Sequence, residues 1–261
     1  MSQAPILISS RDNPLLKELR RLAQDSTAYR KTGRFWVEGD HLCRAASQRG
    51  RQPSIAVFAE SVWPVFAAEF GAAAVKTLLV PDALFDSISG LESPTRLGFV
   101  FDLQAGAVLQ AGLASVILDR VQDAGNVGSI LRSAAAFGFQ QVIAMKGTAA
   151  LWAPKVLRAG MGAHFALRLV ESVEPATLDG LHVPIIVTSS HQGELIHRQT
   201  LPWPWPCAWA LGHEGQGVGA ELMSRAALSV RIAQPGGEES LNVAAAAAIC
   251  LHASAVAVTA V

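Results

Sequence analysis

Polar and apolar positions along the first hundred residues predict helices and strands in alternation. Residues 15–24, LLKELRRLAQ, mix apolar and charged positions as a helix lying on a core does, and they follow Asn13-Pro14. Next come a short strand (RFWVEG, 34–39), a helix (DHLCRAASQRG, 40–50), a strand (SIAVFAE, 54–60) and a helix around VWPVFAAEF (62–70). A strand (AVKTLLV, 74–80), a proline-started helix (PDALFDSIS, 81–89) and a strand (RLGFVFDL, 96–103) complete this half. The uncharged stretch QAGAVLQAGL (104–113) separates it from a second alternating half. There the pattern predicts strand 114–121, helix 126–138, strand 140–145, helix 153–162 and strand 164–170. Strands 183–190 and 207–212, helix 219–227, strand 228–233 and a final Ala-rich helix follow. Near-continuous apolar strands such as ASVIL and VPIIV imply burial on both faces, as in a parallel sheet covered by helices. The fold class expected is α/β, and no internal repeat is visible.

The last run, Leu241 to Val261, is long enough to span a bilayer. It is mostly Ala and Val, contains Asn242 and His252, and has no basic residue at its end, so a buried C-terminal helix is the better reading. No basic segment followed by an apolar one opens the chain, so no signal peptide is expected. Composition agrees: 51% of the 261 residues are apolar and 16% charged, which excludes intrinsic disorder. Cys43, Cys207 and Cys250 are far apart and show no zinc spacing, so buried reduced thiols, a cytoplasmic protein and no metal site are expected.

The 21 basic and 21 acidic residues cancel over the whole chain but not locally. From Arg11 to Arg51 there are ten basic and five acidic residues, a net charge of +5. That stretch reads either as a phosphate-binding face, with Arg20, Arg21, Arg30 and Lys31 as candidates, or as a solvated helix face.

In parallel α/β sheets ligands sit at loops leaving the carboxyl ends of strands. The loop after VILDRV holds Asn126, Gly128 and, further into the helix, Arg132; Asn126 is a candidate helix cap. The loop after AWALG is Gly212-His213-Glu214-Gly215-Gln216-Gly217, whose glycines allow close backbone approach or simply a sharp turn. The loop after VRIA runs Pro235 to Val243, and Ser240 or Asn242 would cap the last helix. Turn and cap chemistry explains each loop taken alone.

Together and in this order, N-x-G-x-x-x-R, a strand ending in GHEGQG, and SLNV before an Ala-rich helix resemble the SpoU/TrmH family of RNA ribose 2′-O-methyltransferases, within the SPOUT superfamily. His213 departs from that pattern, standing where a smaller residue is common. The resemblance implies a knotted methyltransferase domain over 105–261, with a deep trefoil knot. Residues 1–104 would form a smaller α/β substrate RNA-binding domain. It implies S-adenosylmethionine as cofactor, lying on the backbone at Gly212, Gly217, Ile232 and Leu241. By the same resemblance Arg132 would act on the ribose hydroxyl, Asn126 would orient Arg132 or the substrate, and Glu214 would hold the arginine or the ribose. Ser240 and Asn242 would complete the polar wall. A homodimer through the catalytic half is implied, with ribosomal RNA favoured over transfer RNA and no membrane partner. The alternative is a non-catalytic RNA-binding protein retaining the fold. A dinucleotide-dependent oxidoreductase needs GxGxxG after a first strand, and GHEGQG has the wrong spacing.

Overall fold

Helix α1 (Pro14–Gln24) shows how the first half is built. Asn13 Oδ1 accepts the Leu15 N–H at 2.9 Å, and Pro14 at the helix start gives up only an N–H that would have had no helical partner. Leu16, Leu19, Leu22 and Ala23 make its buried stripe and join a core with Ile55, Val57, Leu78, Val80 and Val100. In the computed structural model, residues 4–104, 106–189, 193–198, 203–236 and 240–259 are described. Ala105 of the expected linker, Ser190, loop residues Gly237, Glu238 and Glu239, and the last two positions of the expected final helix lie outside them.

Residues 4–104 together with 152–165 form one unit. Its sheet contains β1 (Ile6–Leu7), β2 (Arg34–Glu38), β3 (Ile55–Ala59), β4 (Lys76–Val80) and β5 (Leu97–Asp102), in the order β1-β4-β3-β5-β2. Strands β1, β4 and β3 run parallel, and β5 is antiparallel to both β3 and β2. Helices α2 (Ala28–Thr32), α3 (Asp40–Gln48), α4 (Trp63–Phe70) and α5 (Asp82–Asp86) connect them. The other unit comprises residues 106–151 and the described residues from 166 onward. Its elements are β6 (Ser115–Leu118), α6 (Ala124–Ala136), β7 (Gln141–Met145), β8 (Arg168–Val173), β9 (Ile185–Thr188) and β10 (Glu194–Leu195). Strand β11 (Ala208–Leu211), α8 (Ala220–Ser224), β12 (Leu228–Arg231) and α9 (Val243–Thr259) complete it; α7 (Pro154–Gly160) belongs to the first unit. The seven strands are ordered β10-β12-β9-β11-β6-β7-β8, and every pairing is parallel.

This parallel sheet is what the continuous apolar strands predicted. Every residue of β6, β7 and β11 is buried. Strand order departs from β6 in two directions, through β7 to β8 and through β11 to β12. The switch point therefore lies between β6 and β11, where such sheets open a crevice at their carboxyl ends.

Four expectations need correction. Residues 152–165, read as part of the second half, belong with the first, because Trp152 packs on Phe35 at 4.4 Å and Phe165 on Phe101 at 5.4 Å between ring centres. For the same reason the strand expected from His164 begins only at Arg168, after a 3-10 turn over Ala163–Ala166. The short elements β1, α2 and β10 were not expected; two to five residues are too few to show a period. Finally, α9 is buried along one face only: Ala247, Cys250, Leu251 and Ser254 are inside, while Ile249 and Val256 are 40% and 48% exposed.

Among the described residues, no helix is long and apolar enough to cross a membrane. All three cysteines are free and buried. Burial raises the thiol pKa of Cys207 to about 11 and of Cys250 to about 12.

Candidate active site

Three loops leave the carboxyl ends of β6, β11 and β12, and side chains join them. The first enters α6. Its N-cap is Asp123, whose Oδ1 accepts the Asn126 N–H at 2.7 Å. Asn126 is therefore not the cap expected of it. It is the third residue of the helix, within its first turn, and its side-chain amide is left for other work.

The second loop begins at Gly212, directly after β11. A Cβ there would stand 2.0 Å from the Gly217 carbonyl carbon and 2.1 Å from Val218 N, so only glycine lets the loop fold back on the strand end. His213 and Gly217 close the turn with two backbone bonds, at 3.0 and 2.8 Å. His213 Nδ1 accepts from the N–H groups of Gly215 and Gln216, at 3.0 and 3.3 Å. The imidazole thus caps the turn, a task that a short polar side chain could perform equally well.

Glu214 points from this loop to the start of α6. Its carboxylate accepts the N–H of Gln122 at 3.2 Å, the N–H of Asp123 at 3.2 Å and Asn126 Nδ2 at 3.1 Å. Burial pushes its pKa up, but bonds from its own backbone and from Asn126, Asp123 and Gln122 outweigh burial and hold it below the usual 4.5. A helix N-terminus favours such a negative charge.

The third loop enters α9. Asn242 Oδ1 accepts from the N–H groups of Ala244 and Ala245, at 2.9 and 3.2 Å, so Asn242 is the cap. Its Nδ2 donates to Asn126 Oδ1 at 3.0 Å. A directed chain results: Asn242 donates to Asn126, and Asn126 donates to Glu214. Each amide is thereby fixed in orientation, which a ligand-facing polar wall needs.

The other sequence candidates stand outside this chain of bonds. Arg132 is exposed on α6 and makes no hydrogen bond or ion pair among the described residues; Glu214 does not hold it. Six helical residues turn the side chain about 120° away from Asn126. Ser240 is exposed, and no bond joins it to another described residue. Gly217 lies in the left-handed region at φ 67, Ile232 directly follows β12, and Leu241 is 41% exposed beside Asn242. In the first unit Arg21, Arg30 and Lys31 are exposed. Arg20 is half-buried: its Nε and Nη2 donate to Ser87 Oγ at 3.2 and 3.1 Å.

Sequence reasoning passed over Asp119 and Arg120. Asp119 is 7% exposed at the end of β6, and it accepts Arg120 Nε at 2.9 Å, Arg120 Nη2 at 3.1 Å and the Gly219 N–H at 2.7 Å. Donating to the Asp119 carboxylate raises the Arg120 pKa further above its already high value. The available signal was an acid directly after a buried, mostly apolar strand. Among the described residues, no three His, Cys, Asp or Glu side chains are grouped to hold a metal.

Comparison with known proteins gives the following. The profile of the SpoU rRNA methylase family matches residues 114–252, and that of the MRM3-like substrate binding domain matches residues 13–97. A 23S rRNA (guanosine(2553)-2′-O)-methyltransferase of Bacillus subtilis, RlmP, is 30% identical over 249 residues, covering 94% of this chain and 97% of its own. The solved structure of an AdoMet-bound rRNA methyltransferase from Sinorhizobium meliloti superposes with a TM-score of 0.81 at 27% identity, covering 95% of this chain and 96% of that one. A structure from Porphyromonas gingivalis, assigned to the TrmH family of RNA methyltransferases, gives 0.81 at 28% identity, covering 93% and 97%.

Proposed function

Because the chain belongs to the SpoU rRNA methylase family, we propose that it transfers a methyl group from S-adenosylmethionine to a ribose 2′-hydroxyl of ribosomal RNA. The observation that carries this reading is the bonded series Asn242–Asn126–Glu214, which ties three separate loops together at the switch point of a parallel sheet.

When bound, the cofactor supplies a methyl on a positively charged sulfur, ready for displacement. The residues present fit it. Gly212 stands against the Gly217–Val218 backbone with no room for a side chain, which leaves only main-chain groups at that position, and Leu241 offers exposed apolar surface next to Asn242. Gly212, Gly217, Ile232 and Leu241 would hold it through backbone groups and packing.

A ribose hydroxyl is a poor acid, and its oxygen must be made more nucleophilic and held in line. Arg132, always protonated, suits stabilisation of the developing alkoxide better than proton removal. Asn126 and Asn242, locked by their mutual bond, would orient the ribose, and Ser240 would extend that wall. Glu214 fixes Asn126 and thereby the wall. The same reading expects a deep trefoil knot in residues 105–261, a homodimer, RNA held by residues 1–104, and action in the cytoplasm.

Calorimetry with S-adenosylmethionine, and a ribose-methylation map of total RNA from cells with and without the protein, test the reading. Cofactor binding and one ribosomal site lost in the deletion strain are expected. A protein that binds RNA but no S-adenosylmethionine would be a non-catalytic member, and a lost site in transfer RNA would overturn the ribosomal assignment.

A further inference from the structure

The loop from Gly212 to Gly219 is fastened on its two limbs by different side chains. On the first limb Glu214 is bound at the start of α6. On the second, Asp119 Oδ2 accepts the Gly219 N–H at 2.7 Å, and Arg120 Nη1 donates to Gln216 Oε1 at 3.1 Å. Arg120 in turn grips both oxygens of Asp119, a two-point bond that fixes direction as well as charge.

Several local features give way to this one placement. The Arg120 backbone lies in the left-handed region at φ 59, a conformation unfavourable for any residue but glycine and shared by four other non-glycine positions among the described residues. Its N–H is bonded by Thr148 Oγ1 at 3.1 Å, which stabilises that turn. A Cβ on Gly147 would stand 3.2 Å from Arg120 Cγ. A Cβ on Gly219 would stand 3.1 Å from both Arg120 Nη2 and Asp119 Oδ2. A glycine lies against the arginine stem, another against the ion pair itself, and the carboxylate they accompany is nearly buried, more than a surface ion pair requires.

We propose that Asp119 and Arg120 are positioning residues that hold the Gln216–Gly219 limb in the shape S-adenosylmethionine needs, and so set cofactor affinity rather than the rate of transfer. The proposal rests on the methyltransferase reading above. The separation of effects follows from the fastening. Glu214 keeps its three donors on the α6 side whatever becomes of Arg120, so the Asn242–Asn126–Glu214 wall survives. The second limb loses its tether at Gln216 and keeps only the Gly219 bond and the His213–Gly217 backbone pair, so a bound cofactor must supply the missing order.

The test is calorimetry with S-adenosylmethionine and steady-state methylation of ribosomal RNA by the full chain. Arg120→Met keeps a stem against Gly147 and removes the donors; Gln216→Ala removes the partner at an exposed position. Each should raise the cofactor Kd and KM, Arg120→Met by about tenfold, with kcat at saturating cofactor within about twofold of wild type. Arg120→Lys should not rescue, since one ammonium cannot grip Asp119 and reach Gln216 together. The double variant should be no worse than Arg120→Met, because both remove the same bond. An unchanged KM, a kcat loss at saturating cofactor, or additive effects would overturn the proposal. Should Arg120→Met not fold, Gln216→Ala alone decides, and an unchanged KM in it overturns the proposal. Wild-type protein that binds no S-adenosylmethionine overturns the methyltransferase reading as well; wild type that binds it, with variants that do so equally well, overturns only this inference.

Discussion

Arg132 stands apart from the other polar residues of the site: it is exposed, and no described residue holds it. A cation left unheld by its own chain is available to a substrate. Arg132→Ala should therefore abolish methyl transfer and leave the S-adenosylmethionine Kd within about twofold, and Lys should restore little, lacking the planar fork. Single-turnover assays beside calorimetry check this, and a fully active alanine variant would sink the assignment. Glu214 makes the opposite case, a charge held by many donors. Its folded pKa is below its ordinary value of 4.5. The contribution of its bonds is thus complete above the unfolded pKa and is lost as pH falls through the lower folded one. Wild type should show no activity loss from this group between pH 8 and about 5, whereas Glu214→Gln, which replaces an acceptor by a donor facing Asn126 Nδ2 or a backbone N–H, should be impaired throughout that range. A pH–rate profile of the two proteins decides; equal profiles would remove Glu214 from the site. Each partner in this wall could be read locally, as a cap or turn residue. The bonds between them could not, since they join residues 88 and 116 positions apart.

Helix α9 depends on a residue with two tasks, capping the helix with its oxygen and bonding Asn126 with its nitrogen. Substitution separates them. Asn242→Ala should cost about 1 kcal/mol of stability through the lost cap and also reduce activity. Asn242→Asp keeps the capping oxygen and loses the donor, so the melting temperature should hold while methyl transfer falls; a fully active Asp variant would show that the Asn126 bond does nothing for the site. The outer face of the same helix carries Ile249 and Val256 in water, an apolar surface that a two-fold partner would cover. Ile249→Glu with Val256→Glu should convert a dimer to a monomer in sedimentation, and wild type already monomeric at micromolar concentration would refute the pairing. Elements of this length were legible, because a buried stripe or a continuous apolar run repeats often enough to show its period. That α9 buries one face rather than all of itself was not, because an Ala-rich helix is apolar all round and its pattern does not say which side is covered.

At the scale of the whole molecule, linear order misleads in one place. Residues 152–165 lie among catalytic-half elements in sequence but pack with the first unit through Trp152 and Phe165. Aromatic packing between positions more than sixty residues apart leaves no local trace, so the boundary near residue 104 looked cleaner than it is. This changes how the role of the first unit can be tested. Removing residues 1–104 would strip Trp152 and Phe165 of Phe35 and Phe101, and a resulting loss of RNA binding would not report on charge. Charge reversal is the sharper experiment, and the structure refines its targets. Arg20 is half-buried and bonded to Ser87, so it should be spared. Arg21, Arg30 and Lys31 are exposed, but Arg30 Nε donates to the hydroxyl of buried Tyr29 at 3.1 Å, so the reversal must be read beside a melting curve. Several cations of the stretch already face acids: Lys17 meets Asp12, Arg21 meets Asp25, Arg34 meets Glu18 and Asp102, and Arg44 meets Asp40 and Glu69. The net charge of +5 therefore overstates what is available to phosphates. The triple reversal should weaken RNA affinity at least tenfold, about 1.4 kcal/mol, and reduce the slope of log K against log salt by roughly 0.7–0.9 for each phosphate that is no longer neutralised. S-adenosylmethionine affinity should not change, since the residues proposed to hold it lie in the other unit. If affinity and salt slope both stay as in wild type, these side chains form only a solvated helix face, and RNA must be gripped around the loops that carry Asn126, Glu214 and Asn242.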